Sequence, residues 1–487
     1  EPIFDYLNSL NRFELAFSAP KFVQAKDGKV GIGLEEDEIK RLKSKGTFVS
    51  DPEGWNQDVI VVADVSFSLR NCGKIVNVGH GIISKGGFYR DAPIVRRENL
   101  ADLICTPGEW HKEILSKNVF VPIVATGFIK SDRMFGAKAV KKEDFLNRYK
   151  IKGEKKIILF APTFNPELSA IPCVGENIAK VLDDNSVLLI KLHSMTDITW
   201  VKMYKDLARK NNNIIFVDDI DLTPALVAAD VMISDVSSAA VEFLFMNKPV
   251  VVYNNPKTKE YAYYAADDIE YKVRDAVKVV NSLEELKSAV SECLSNPTKN
   301  SEIREKYAEM LCFGRDGRAA ERAGEAIINL LNDGYKTFID KSELGIFVYD
   351  KERLWRNNDG VLESVESWSD NIQKTKYVVF ANGNAKLPAR WIDKLLYYFY
   401  WYQDTEVIRA LSSNDNYREI GEKYFSKNIL DDLHLTGHYF RHFIGADSST
   451  GKLGDGCFAI RSSLLKQIIK EDSNINIANL IKSIEEY

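Results

Sequence analysis

"DVMISDVSSAAVEFLFMNKPVVVY", residues 230–253, carries the pattern on which the fold turns. A short apolar run leads into Asp235, then Ser237 and Ser238 open an amphipathic stretch, and a β-branched run, "KPVVVY", follows. Strand, helix and strand in that order make the repeating unit of a parallel α/β sheet. Backbone N–H groups and the positive dipole end at the helix start form an anion site, and two hydroxyls there suit phosphate oxygens. The plainer role of the same serines is helix capping, since Ser and Asp are favoured N-caps. Glu242 lies four residues after Ser238, on the same face and one turn deeper. Its carboxylate is placed to accept from a ribose hydroxyl while staying back from the phosphates. The pattern describes a nucleotide diphosphate site without a metal-binding carboxylate cluster.

The same alternation extends on both sides. Before it come "KIILFAPTF", "SVLLIKLHS" and "NIIFVDD", with helical stretches such as "WVKMYKDLARKN" between them and "SLEELKSAVSECL" after. A helical run rich in Arg, Glu and Ala closes this part at residues 302–331. Upstream, "DVIVVAD", "KIVNVGH", "ADLICTP" and "PIVATG" form a second series, and the charged stretch 142–156 reads as the crossing between the two. Two Rossmann-like halves, residues 1–150 and 151–335, facing a cleft, are the simplest arrangement. The length of 487 residues agrees, because one core stops growing at ~250–300 residues.

Composition narrows the class. A hydrophobic share of 45% and a net charge of −5 describe an ordinary globular chain with no global field toward nucleic acid or anionic lipid. Six cysteines are scattered without a CxxC pair, which argues against a zinc knuckle or disulfide framework and suits a reducing compartment. No apolar run approaches the ~20 residues of a membrane span, and no signal-peptide pattern is present. The expectation is a cytoplasmic chain.

In open α/β sheets ligands sit beyond the carboxyl ends of the strands. His80 follows "KIVNV" between Gly79 and Gly81, His193 follows "VLLIKL", Thr163 follows "IILFAP", and Asp235, Ser237 and Ser238 follow "DVMIS". Each alone is an ordinary loop residue or cap. Spread over both halves, the set points to a shared site. His111, in "GEWHKEIL", reads as a packing or surface residue. His434, His438 and His442 have helical spacing, but Gly437 interrupts them and no carboxylate partner is evident nearby, so metal ligation is not expected.

These segments resemble the CDP-glycerol glycerophosphotransferase family, the teichoic-acid primases and polymerases of GT-B fold. "VGHGIISKGGF", "ADLICTPGEWHKEIL", "VATGFIKSDRMF", "KKIILFAPTF", "LLIKLHS", "MISDVSSAAVEFLFMNKPVVVY" and "DGRAAER" occur in the family's order over residues 55–335. The resemblance implies an α/β, GT-B-like chain with an N-terminal acceptor domain and a C-terminal nucleotide-donor domain. It implies His80 as general base toward an acceptor hydroxyl, a task suited to an imidazole near neutral pH. His193, Ser237 and Ser238 would stabilise charge on the bridging and leaving oxygens, Thr163 and Lys85 would contact phosphate, Glu242 would hold the ribose, and Asp235 would orient its loop. Gly81 and Lys85 would belong to an acceptor or phosphate loop. No cofactor or metal is implied, only a CDP-alditol donor and a glycan or lipid-linked acceptor, met at the inner face of the cytoplasmic membrane. The chain departs from the family after His-Gly, where Ile82 and Ile83 replace Thr-Pro and only Lys85 follows.

Residues 341–487 are a separate, accessory region. "YVVFANGNAKLPARWIDKLLYYF" and "LGDGCFAIRSSLL" resemble parts of a family-two GT-A fold, with Asn382 and Asn384 where that fold carries a metal-binding Asp-x-Asp. Neutral amides hold a divalent cation poorly, so a degenerate module serving oligomerisation or acceptor positioning is expected. Two other functions fit the same sequence. One is a GT-B glycosyltransferase using a nucleotide sugar, and the other is a non-catalytic scaffold of a glycan-assembly complex.

Overall fold

The computed structural model describes residues 1–19, 36–50, 57–63, 73–82, 101–117, 121–219 and 221–332, with strands and one helix beyond 343 and a few isolated positions. After the short pair β1 (Ala16–Phe17) and β2 (Thr47–Phe48) come two parallel sheets. The first contains β3 (Val59–Val62), β4 (Lys74–Asn77), β5 (Leu103–Thr106) and β6 (Ile123–Ala125), side by side in chain order.

The second sheet has six strands: β7 (Lys156–Phe160), β8 (Ser186–Ile190), β9 (Ile214–Phe216), β10 (Val231–Ser234), β11 (Val250–Tyr253) and β12 (Lys278–Val280). Their order is β12-β11-β10-β7-β8-β9, and every pairing is parallel. The chain therefore winds outward from β7 through β9 and returns to β10 on β7's other side. That reversal creates a switch point between β7 and β10, where loops diverge and leave a crevice. Residues 157–160 and 186–190 are buried without interruption because helices cover both faces, which is why they lack polar alternation. Helices 223–228, 238–244 and 301–311 cover one face, while 198–210 and 283–295 cover the other.

The two units are joined by exchange of elements. The helix Lys142–Arg148, inside the expected crossing, places Phe145 in the core of the second unit. The helix Ala319–Leu331 follows the second unit in sequence but buries Ala323, Ile327 and Leu330 against Ile3, Leu7, Val76 and Leu103 of the first. Gly324 permits this approach, since a Cβ there would lie 2.4 Å from a ring carbon of Tyr6. The Asp132 carboxylate accepts from the Ala319 and Ala320 N–H groups at 2.7 Å each, so the first unit caps this returning helix. Arg322 Nε donates to the Thr126 carbonyl at 2.6 Å and secures the same seam.

In the third region β13 (Leu344–Tyr349) pairs parallel with β14 (Tyr377–Asn382). β16 (Cys457–Arg461) lies antiparallel between β14 and β15 (Val407–Arg409), and the helix Ser462–Glu471 follows it. Asn382 ends β14, whereas Asn384 and the three spaced histidines, His434, His438 and His442, lie outside the described residues. Phe399, from the aromatic run 397–402, is buried and stacks on Tyr377.

Lys248 Nζ donates to the carbonyls of Val227 and Ala229 at 2.7 and 2.8 Å, closing the end of helix Thr223–Ala228. Burial, reinforced by Lys142 and opposed by Asp230, pushes its pKa down to about 8. The unfolded chain therefore holds this proton more tightly, and folding gains stability as pH rises from about 8 toward the ordinary lysine value. The stability of the native chain relative to Lys248→Met should rise by ~3 kcal/mol between pH 7 and 10.5. Urea melts of both proteins at each pH measure it, and a flat difference would contradict the assignment.

Candidate active site

Both sheets present their chemistry at carboxyl ends. Beyond β4, the Asn77 side chain accepts from the Gly79 N–H at 2.9 Å, and Gly79 adopts φ +66°, a left-handed turn that favours glycine. The turn brings out His80, which is exposed, with Nδ1 3.2 Å from the Ala63 carbonyl. A carbonyl only accepts, so Nδ1 carries the proton, and in neutral His80 the Nε2 lone pair is the one left to accept.

Across the seam, a Cβ built on Gly81 lies 3.8 Å from Ser238 Oγ. The histidine loop thus runs against the start of helix Ser238–Leu244. The next residue, Ile82, is buried with Phe128 and Met134 in the apolar core of the second unit. The departure from the family's Thr-Pro is therefore an apolar contact between units. Lys85 and Ile83 lie outside the described residues.

At the switch point Asp235 is 4% exposed, and its two carboxylate oxygens accept from the Thr163 N–H at 2.9 Å and the Ala170 N–H at 2.7 Å. Asn255 adds a second anchor, donating to the carbonyls of Pro166 and Ser169 at 2.9 and 2.8 Å. The loop after β7 is thus fixed to the ends of β10 and β11. Ser237 Oγ accepts from the Ala239 N–H at 3.3 Å, the capping role, and its O–H remains a donor by valence. Glu242 is buried one turn further in. Burial raises its pKa, the charge of Lys130 from the first unit opposes that, and Asp221 adds to it.

His193 is exposed beyond β8, and its ring lies against Phe164, with centroids 4.8 Å apart. Its Nδ1 accepts the Met195 N–H at 3.1 Å, so the ring proton sits on Nε2. The two imidazoles are held in opposite tautomers, one with Nε2 as acceptor and the other with Nε2–H as donor. His111, by contrast, is fully buried with its ring edge-on to Trp110.

Thr163, Asp235, Ser237 and Ser238 are therefore drawn together by bonds or adjacency, Gly81 joins them from the first unit, and Phe164 links His193 to the same loop. Sequence reasoning missed Asn255 and Phe164. The doubled Asn254-Asn255 at the end of "VVVY" was the available signal for the first.

The family model for CDP-glycerol:poly(glycerophosphate) glycerophosphotransferase matches residues 79–329. The chain belongs to this family. It is 33% identical over 113 residues to a teichoic acid glycerol-phosphate primase of Bacillus spizizenii, covering 23% of this chain and 28% of the relative. A teichoic acid poly(ribitol-phosphate) polymerase of the same organism is 26% identical over 216 residues, covering 42% of this chain and 33% of that one. The chain thus spans about a third or less of the curated relatives it matches. A solved structure of the wall teichoic acid polymerase TagF superposes with a TM-score of 0.51 at 14% identity, over 69% of this chain and 86% of that one. That likeness establishes the GT-B-like α/β fold expected from the sequence.

Asp235→Asn keeps the shape but replaces one accepting oxygen with a donor, so one loop anchor is lost. Stability should fall by ~1–3 kcal/mol, and amide exchange at 163–170 should accelerate selectively. Unchanged exchange there would show that the carboxylate does not fix the loop.

Proposed function

We propose that this chain transfers an alditol phosphate, such as glycerol phosphate, from a CDP-activated donor to a hydroxyl of a glycan or lipid-linked acceptor. The observation that carries the reading is the approach of the His80–Gly81 loop to Ser238, with His80 held through Nδ1 so that Nε2 is the accepting nitrogen. The acceptor hydroxyl gives its proton to His80 Nε2 as its oxygen attacks the donor phosphorus. The bond from that phosphorus to the bridging oxygen breaks, and its electron pair leaves with CMP.

Charge grows on the bridging and leaving oxygens, and fixed donors aimed there supply most of the acceleration. His193 Nε2–H and the hydroxyls of Ser237 and Ser238 take that role, with the Thr163 hydroxyl and Lys85 contacting phosphate. Glu242 holds the ribose. Asp235 is a positioning residue, since both its oxygens accept from the loop it anchors. Transfer proceeds without a metal, at the inner face of the cytoplasmic membrane, and residues 341–487 serve acceptor positioning or self-association.

Incubation of the chain with CDP-glycerol, CDP-ribitol and nucleotide sugars, each with a glycan-phosphate acceptor, separates the possible chemistries. CMP release with a product heavier by one alditol phosphate is expected, and it should persist in EDTA. His80→Ala and His193→Ala should each lose ~10²–10⁴ in turnover while melting normally. Release of a nucleoside diphosphate would indicate sugar transfer. Full activity in both variants would remove the imidazoles from the mechanism.

A further inference from the structure

Beside this site, on the β11 side of the switch point, Arg274 is held in an unusual way. Its Nη1 donates to Asn254 Oδ1 at 3.1 Å, just past the end of β11, and Asn254 Nδ2 is itself engaged with Asn281 at 3.1 Å. The guanidinium lies over the Tyr271 ring, 4.9 Å from its centroid, and Tyr271 meets Tyr264 edge-on at 4.9 Å. Stacking occupies the face of the guanidinium and leaves its edge.

That edge is Nε and Nη2, the pair of parallel donors that grips two oxygens at once. Both nitrogens, and the hydroxyl of the stacked Tyr271, are shut off from solvent without a hydrogen-bond partner among the described residues. Leaving charged donors buried and unmatched is costly. Burial weighs against this cation, and the buried Glu270 and then Asp235 attract it. Neither accepts a hydrogen bond from Nε or Nη2, and both Asp235 oxygens are taken by backbone N–H groups.

The location narrows the partner. Besides its burial, Glu242 feels the charges of Lys130 and of Asp221, which follows β9, whereas Arg274 is tied to the β11 side. The segment leading to Arg274 is also bound to the first unit, through Tyr89 Oη donating to Asp268 at 2.8 Å. Tyr89 lies four residues after Lys85 in the sequence. Arg274 thus stands on the flank away from the ribose position and near the histidine-bearing unit.

We propose that Arg274, with the Tyr271 hydroxyl, is a phosphate-recognising pair at the transferred-group end of the cleft. This rests on the transfer reaction proposed above and adds a specificity-determining residue to it. The ligand is a phosphate oxyanion, supplied either by the phosphate being transferred or by a phosphodiester of the acceptor. Two of its oxygens accept from the Nε–H and Nη2–H edge.

Two measurements on the full chain test the assignment. Calorimetric titration with inorganic phosphate reads the pair without any transfer. Arg274→Gln should weaken phosphate binding roughly tenfold or more, Arg274→Lys should restore only part of it, and Tyr271→Phe should lose several-fold. Equal affinity in native, Arg274→Gln and Tyr271→Phe proteins, or acetate binding as tightly as phosphate, would overturn the proposal. Should Arg274→Gln fail to melt cooperatively, Tyr271→Phe alone decides, because it keeps the stack and removes only the hydroxyl. In steady-state CMP release, a raised KM for CDP-glycerol assigns the transferred phosphate, and a raised KM for the acceptor assigns its phosphodiester. A lower kcat with both KM values unchanged would mark a merely structural residue. If no donor yields CMP while Arg274→Gln still weakens phosphate binding, the transfer reaction fails and the phosphate site stands.

Discussion

The arrangement of both halves of the site depends on a carboxylate that caps a helix from another unit. Asp132 belongs to the first unit, yet its oxygens accept the first N–H groups of helix Ala319–Leu331, which arrives after the whole second unit has been traversed. A free helix start exposes N–H groups that require acceptors. Supplying them from 187 residues away fixes where the chain must return. Once the helix is seated on Ile3, Leu7 and Leu103, the first sheet is tied to the second by covalent chain at two places, and Gly81, beyond β4, comes against Ser238, beyond β10.

Within that seam the chemistry is set by backbone groups more than by neighbouring charges. A carbonyl holds one imidazole and an amide holds the other, so the same residue type is presented in two complementary protonation patterns. Each contact uses Nδ1. The difference lies only in whether the backbone partner accepts or donates, and that follows from the local turn.

The sequence made some of this visible and concealed the rest for identifiable reasons. Strands β7, β8, β10 and β11 were legible because burial on both faces leaves unbroken apolar runs. The serine opening of helix Ser238–Leu244 was legible because capping chemistry is local. The destination of Ala319–Leu331 was not, since an apolar stripe announces a buried face without naming its partner. Residues 142–156 looked like a plain charged crossing because Phe145 is the one fully buried side chain of the helix that forms there. The grip of Ala63 on His80 left no trace at all, because a carbonyl is common to every residue.

Ile82 has a mechanical consequence. With Phe128 and Met134 it contributes first-unit side chains to a core otherwise built mainly from the second. Swinging the lobes apart like a hinge would pull these residues into water, at roughly 25 cal/mol for each Å² uncovered. GT-B-like architecture is thereby stiffened at its waist. Opening of the crevice is therefore left to local rearrangement at its rim and not to separation of the two sheets.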